Sequence, residues 1–496
     1  MKKKADSNRA EYRSLLKYTA LFGSVSVVNM FSSLIRNKFT ALFLGTAGVG
    51  ILSLYNSLIS FLSQLTNLGI SSGGVAFLAD EDEAKAQARV VTVRVWSIIV
   101  SILGFILPIV FAEPLTLFTF GNAVDASHMN MALVGLTIAS LSLTSGEQVI
   151  LKSFRHLSQL SRLSIVSTLL SVAIVVPLYY FFRSSAILWV ILLMSLTSLA
   201  LTMRVSLKLF PYSLATFRKQ KIYDGIPLLR IGGAMLITGV MSSGIEYVLR
   251  ILILDFTDSS SLGLYNAAMM ISIVYMGMIL SSIDQDYYSR LSLSNSDERE
   301  RTRLVNQQVH LALLIMTPLL AILIVALPIL LPMLYSKEFI GAVDLVRVSV
   351  VYMFVRPIIL PLSYLALVTG DIRRFLSLDL VVNIIYLGLA LVGLQFYGTL
   401  GVAAALSISA IVEALIISIH AYYRYSLRFN SITSSDMFVL GIMLSLSLCC
   451  YFVFEGYTLI ILQAMLCIPI SVYSLYRLNQ ATGFISFLYS KKAKKQ

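Results

Sequence analysis

Four ionisable residues sit deep inside long apolar stretches of this chain: Arg36, Glu246, Arg356 and Glu413. A charge at the centre of a bilayer costs roughly 2.5 to 3.5 kcal/mol on insertion scales, so such residues mark a pathway or a pair. Arg36 is followed by eight residues, mostly apolar, up to Leu44, about 12 Å of helix at 1.5 Å per residue. That is a long reach to the headgroups, although its flexible stem leaves an interfacial position beside Lys38 open. Glu246 and Arg250 are four apart, and so form either two cleft-facing charges or one internal ion pair. Arg356 precedes Pro357 and Pro361 follows one turn later, which removes ladder hydrogen bonds where the charge sits. It either lines a cavity on interrupted backbone or packs against the freed carbonyls of a kink. Glu413 has no partner within a turn, so it is protonated, paired across helices or a proton carrier. Arg36, Lys38, Arg250, Arg356 and Glu246 are the candidate substrate-binding residues, and Glu413, Glu147 and Asp284 the candidates for coupling or gating. Glu147, Asp284, Asp286, Asp379 and Arg204 fall close to the ends of apolar blocks, where a solvated interfacial position is expected.

Enzyme signals are absent from this pattern. His128, His156, His310 and His420 have no paired spacing of the H-E-x-x-H kind, and no Gly-Lys-Ser/Thr phosphate loop occurs. Cys449, Cys450 and Cys467 give neither a disulfide framework nor zinc-ligand spacing. No catalytic residue, metal or cofactor is expected, and transport would draw on an H+ or Na+ gradient or on the substrate gradient itself.

The elements that must position these residues follow from composition. Of 496 residues, 57% are hydrophobic and 13% charged, about half the charge of a usual soluble domain. The apolar residues form blocks near the ~20 residues that cross a bilayer core. Fourteen spans are predicted, beginning near Lys17, Val49, Val95, Met129, Leu163, Ala186, Leu228, Leu262, Val309, Ala342, Phe375, Leu400, Met437 and Tyr457. The polar start, Met1 to Arg13, and the long first block do not fit a cleaved signal. Of the 38 Lys and Arg, 30 fall at the N-terminus, in the loops after even-numbered spans and in the tail, against two, Arg183 and Lys337, in the other loops. This bias predicts both termini in the cytoplasm. Together with anionic lipid it accounts for the net charge of +13 without nucleic acid.

An offset of 210 residues lays Lys17 to Asn56 over Pro227 to Asn266 with ten of forty positions identical, among them Ser32-Ser33 over Ser242-Ser243 and Leu54-Tyr55-Asn56 over Leu264-Tyr265-Asn266. Shared apolar content is a poor explanation for that agreement. The expected fold is all-α and polytopic: a cytoplasmic N-terminus (1–16), an N-lobe of spans 1–6 (17–210), a cytoplasmic linker (211–226), a C-lobe of spans 7–12 (227–428) related as a parallel repeat, two further spans (429–476) and a basic tail (477–496). Arg36 and Glu246 are equivalent in the repeat, each one turn above a Ser pair, and are predicted to face one another across a central cleft.

Two six-helix lobes plus two helices resemble the multidrug/oligosaccharidyl-lipid/polysaccharide (MOP) exporter superfamily. Leu44-Gly45-Thr46-Ala47-Gly48-Val49-Gly50 and Leu68-Gly69-Ile70-Ser71-Ser72-Gly73-Gly74-Val75 are similar to the opening of its O-antigen translocases. Leu151-Lys152-Ser153-Phe154-Arg155 resembles their segment after helix 4, with Ser153 for Gly, and Asp286-Tyr287-Tyr288-Ser289-Arg290-Leu291-Ser292 their end of helix 8, with Ser289 for Pro. The resemblance implies a flippase for undecaprenyl-diphosphate-linked oligosaccharide, working by alternating access in a bacterial inner membrane, beside membrane lipids and polysaccharide polymerase machinery. The arginine fork suits a diphosphate. Translocases of this kind generally have twelve spans, so spans 13 and 14 depart from the pattern and resemble the fourteen-span lipid II flippases. A drug/cation antiporter of the same fold would be expected to concentrate acids in the cleft, and a membrane-embedded polymerase or ligase to carry a large outer loop.

Overall fold

The computed structural model describes residues 2–79, 83–121, 128–211, 220–284, 287–294, 297–454 and 456–482, with side chains described from Val28 onward except at 83–85, 87, 88, 220, 221, 234, 282, 289, 452, 481 and 482. Residues 212–219 of the predicted linker (211–226), Asp286 and residues 483–496 of the predicted tail (477–496) lie outside the described residues.

Among the described residues, eleven helical stretches are long and apolar enough to cross a membrane, and three of them, Val28–Thr66, Leu157–Leu209 and Ile372–Tyr425, carry two spans each. The 54 residues of Ile372–Tyr425 would extend about 80 Å as one rod, far beyond a ~30 Å hydrocarbon layer. Gly398 folds this stretch, with φ 58° and ψ −142°, a conformation nearly closed to residues with a Cβ. The fold-back brings Gly393 and Gly401 together: a Cβ on Gly401 would lie 1.9 Å from the Gly393 carbonyl. Gly45 folds the first stretch with φ 64° and ψ −172°, and Arg183 folds the second with φ 48° and ψ −132°.

Fourteen membrane helices result: α1 (residues 2–44), α2 (46–66), α3 (Glu83–Val110), α4 (His128–Ser153), α5 (Leu157–Phe182), α6 (Ile187–Leu209) and α7 (Ile226–Phe256). The series continues with α8 (residues 259–284), α9 (Glu298–Leu334), α10 (Ala342–Val368), α11 (372–397), α12 (399–425), α13 (Ser431–Val453) and α14 (Gly456–Thr482). The all-α polytopic fold is as expected. Several helices start earlier than expected, among them α3, which begins at Glu83 rather than near Val95 and so contains Arg94, and α9, which begins at Glu298 rather than near Val309 and so contains Asn306 and Gln308.

The chain divides into two compact units, residues 1–263 with 334–336, and residues 264–333 with 337–496. In the first, the short helix Ile70–Leu78 wedges between α7 and α4. Its glycines explain the Gly-rich stretch after Leu68: Gly69 has φ 80°, and Cβ atoms on Gly69 and Gly73 would both meet the Gly232 backbone at 2.7 Å. Gly74 seats against Val149. Around this crossing Ile70, Phe77, Val90, Val93, Trp96, Val149, Ile150 and Leu228 form one buried cluster.

In the second unit the core runs from Tyr287 and Leu291 through Val309 and Leu313 of α9, Ile359 and Leu362 of α10, and Ala410 and Ile417 of α12. Met437 of α13 and Tyr473 of α14 pack on it, so the last two helices share this core. α8 widens to a π-turn over Met270–Tyr275, and Ser272 meets Ser349 of α10 there at 2.6 Å. Outward-facing Ile384, Leu415, Ile461 and Val472 are exposed, as suits side chains surrounded by lipid rather than water.

Candidate functional site

Within the second unit, three helical stripes wall one cavity of about 150 Å³. Arg356, Leu360, Ser363, Tyr364 and Leu367 come from α10, Phe375, Leu378, Asp379 and Val382 from α11, and Glu413, Ile417, His420 and Ala421 from α12. Each set repeats at three or four residues and so lies on one helix face. A space of that size takes several waters or a small ion. It does not hold an oligosaccharide.

Arg356 and Glu413 meet here, with Nη1 3.6 Å from Oε1 and both side chains part-buried at 31% and 18% exposure. At that separation the contact is Coulombic rather than a hydrogen bond, and a water can enter it. The guanidinium also lies over the Tyr352 ring, 5.5 Å from its centroid, a favourable place for a cation. Of the open readings for Glu413, pairing across helices is the arrangement observed. Of those for Arg356, the cavity wall is observed, but the helix is not interrupted: α10 is continuous through Pro357 and Pro361. The buried Tyr287 hydroxyl donates to the Pro361 carbonyl at 3.1 Å, one of the ways a neighbour supports backbone beside a membrane proline. The backbone irregularity lies instead on α8, in its π-turn.

Two residues of this unit expected at solvated interfaces are drawn into the packing instead, Asp379 in part and Asp284 almost fully. Asp379 lines the cavity. Asp284 is 6% exposed, accepts the Gln308 amide at 2.6 Å and keeps Oδ2 without a partner among the described residues. The charges of Arg356, Asp379 and Glu413 act on one another, and Arg356 acts on Asp284. At one end of the cavity Tyr425 donates to Asp371, which begins α11, at 3.3 Å. There, against partial desolvation, the hydrogen bond from Arg424 and the charges of Arg374 and Arg424 hold the Asp371 carboxyl below the usual range.

The other candidates belong to the first unit. Glu246 pairs with Arg250 on its own helix at 3.2 Å, the internal ion pair of the two readings, and its carboxylate stays 67% exposed. Ser32 and Ser33 are buried, and Ser33 donates to the Met30 carbonyl. Asn29, one turn earlier, bonds Ser164 and Thr168 of α5. Arg36 acts electrostatically on the buried Tyr179 of α5. The polar stripe of α1 is therefore at least partly spent on α5. Lys38 is part-buried. Glu147 is enclosed, not solvated: Arg94 holds it with two parallel bonds of 2.8 and 3.0 Å, and Ser206 donates to the same carboxylate. Arg204 is exposed.

Two constellations escaped sequence reasoning. Arg94, Glu147 and Ser206 join α3, α4 and α6. Asp436 of α13, with no exposure, accepts from Arg477 at 2.9 Å and Tyr473 at 2.7 Å on α14, and lies 2.6 Å from His310 on α9. The helical spacing of Tyr473 and Arg477 is a visible signal, but nothing in the chain order ties it to Asp436.

Residues 8–344 match a family model described as polysaccharide biosynthesis protein. Among solved structures, the chain is similar to the lipid II flippase MurJ in an inward closed conformation, with a TM-score of 0.70 and 14% identity over 94% of this chain and 99% of that one. It is also similar to an inward-facing multidrug resistance MATE family transporter of the MOP superfamily, with a TM-score of 0.64 and 14% identity over 82% of this chain and 98% of that one. A third likeness, with a TM-score of 0.54 and 14% identity over 82% and 95%, is to a MOP superfamily transporter from Pyrococcus furiosus described as having a binding pocket of reverse polarity. No curated protein matches the sequence. The MurJ likeness leaves 6% of this chain unmatched, less than α13 and α14 together, so it extends into the helices beyond the twelfth.

Proposed function

The chain belongs to the polysaccharide biosynthesis protein family, and from that premise we propose that it is a flippase moving undecaprenyl-diphosphate-linked oligosaccharide between membrane leaflets by alternating access, for O-antigen or another surface polysaccharide. The family match over residues 8–344 carries this reading, and the MOP superfamily fold supports a carrier. In this proposal Arg356 binds an anionic group of the substrate, because a guanidinium stays charged in a partly dry site and presents two donors to a phosphate. Arg36, Lys38 and Arg250 supply positive charge in the first unit, with Glu246 orienting Arg250. The small cavity around Arg356 accommodates no more than a part of such a substrate. The protein then acts in the bacterial inner membrane with both termini inside, beside the polymerase machinery that would use its product.

One observation favours a second reading, a drug/cation antiporter of the same fold: Glu413 and Asp379 line the cavity with Arg356, so two carboxyl groups there face one permanent positive charge. A lipid II-type flippase is the nearer alternative, supported by the likeness that extends beyond twelve helices. Proteoliposomes carrying a fluorescent undecaprenyl-diphosphate oligosaccharide, lipid II or a cationic dye separate the three. The expected result is time-dependent exposure of the oligosaccharide to an added glycosidase, lost in Arg356→Ala. Dye extrusion without glycan movement would overturn it.

A further inference from the structure

The charge arithmetic around Arg356 is unbalanced. Glu413 and Asp379 line the cavity with it, and Asp284 lies within its field, so three carboxylates share one guanidinium. The other titratable groups facing the cluster do not restore the balance. Tyr352 and Tyr364 on α10 and Tyr287 and Tyr288 on the short helix Tyr287–Leu293 between α8 and α9 are phenols. His420 lines the same cavity with its Nε2 buried and without a partner among the described residues. Arg374 and Arg424 are engaged by Asp371 at the turn before α11.

Fully ionised, the cluster would hold two uncompensated negative charges among apolar helices, which desolvation opposes strongly. Asp284 makes the deficit visible in geometry: its Oδ2 is buried and has no donor within reach among the described residues. A metal cation is a poor remedy, because the Arg356 guanidinium already stands 3.6 Å from the Glu413 carboxylate. Among the described residues no three acidic, His or Cys side chains are placed to hold one.

We propose that the cavity walled by α10, α11 and α12 is a proton-binding site, in which Glu413, Asp379 and Asp284 share protons around the single fixed charge of Arg356. Protons exchange with water at the turn before α11. The cavity wall reaches Tyr425, whose hydroxyl accepts from Thr369 and donates to Asp371. His420, two turns along α12 from Glu413, stands between that end and the ion pair. When the Arg356–Glu413 contact opens, Glu413 takes up a proton; when it closes, the proton returns to water. This goes beyond the flippase reading and holds whatever molecule is carried.

Infrared difference spectra of the full chain in lipid nanodiscs, titrated from alkaline to acid pH without any substrate, test the proposal. A protonated-carboxyl C=O stretch should grow in with a midpoint well above the ~4 of a solvated carboxylate. Glu413→Gln and Asp379→Asn should each remove part of that band, and Arg356→Gln should move its midpoint upward. A wild-type spectrum with no carboxyl titrating above the solvated range overturns the site even if every variant fails to fold. So does a band untouched by Glu413→Gln, Asp379→Asn and Asp284→Asn. A midpoint that moves with Na+ at fixed ionic strength would replace the proton with a metal cation. Because the measurement needs no lipid-linked glycan, its failure is separate from failure of the flippase reading.

Discussion

At the scale of single residues, partnership decides what each buried charge does. Glu147 is held by two nitrogens of a guanidinium, Nε and Nη2, and by a hydroxyl, so the group most exposed to loss is Arg94 once its partner is gone. Glu147→Gln should therefore cost about 3 to 5 kcal/mol, the usual result of leaving one member of a buried pair alone. Replacing both members, Arg94→Met with Glu147→Met, should recover most of that loss, because no uncompensated charge then remains. Thermal unfolding of the three proteins in one detergent checks the order, and a double variant as unstable as the single would show that the pair itself stabilises. Asp258 gives a milder case with a pH signature. It precedes α8 and its carboxylate accepts the Ser261 N–H at 2.6 Å. That backbone bond, with one from Ser260, holds its carboxyl below the usual range. A lowered carboxyl contributes stability that is complete above its unfolded value of ~3.9 and disappears as pH falls through the folded value. Asp258→Ala should cost about 0.5 to 2 kcal/mol at neutral pH, the ordinary value of a helix cap, and the difference from wild type should shrink in acid.

At the scale of elements, three of the tight reversals use one residue with positive φ and strongly negative ψ: Gly45, Arg183 and Gly398. Two are glycines, for which the conformation is cheap, and one is an arginine, for which it is strained. Gly398→Ala should lower stability by about 1 to 3 kcal/mol, and Arg183→Gly should raise it if the side chain contributes little else. Arg183 does reach the Phe43 carbonyl at 3.4 Å, a weak bond that limits the gain. Melting temperatures of the two variants should move in opposite directions. These turns also show where the chain was legible. The apolar blocks set the number and order of the helices, because hydrocarbon length is a property of the block itself. The helix ends were less legible, because Arg94 and Gln308 look like loop residues until a partner from another helix encloses them. Cavity walls read well along one helix, as with Arg356 and Glu413, and poorly across helices. Asp379 and Asp284 looked interfacial since distance from the end of a block says nothing of what packs over it.

For the whole molecule, sidedness is the property that the charges along the chain specify and the packing of helices does not. An even helix number puts the ends on one side, and the segregation of 30 of the 38 Lys and Arg to the ends and to the loops after even-numbered spans predicts that side to be the cytoplasm. Arg94 weakens that count by one, since it is buried against Glu147 rather than free in a loop, but the remaining bias is far larger than one residue. Asp436 bears on the last pair of helices, because its bonds to Tyr473 and Arg477, with His310 beside it, tie α13 and α14 to α9 of the same unit. If α14 crosses fully, as this latch and the 27 residues from Gly456 to Thr482 imply, the tail returns to the side of the N-terminus. Reporter fusions after Phe182 and Gly398 should then read as periplasmic, and fusions after Arg303 and Lys494 as cytoplasmic. Asp436→Ala leaves Arg477 without its carboxylate, so the C-terminal pair should loosen: proteolysis between α12 and α13 should accelerate while the fusion after Arg303 keeps its side. A periplasmic fusion after Lys494 in the otherwise unaltered chain would remove one crossing and with it the latch, since His310, Asp436 and Arg477 could no longer meet at one depth.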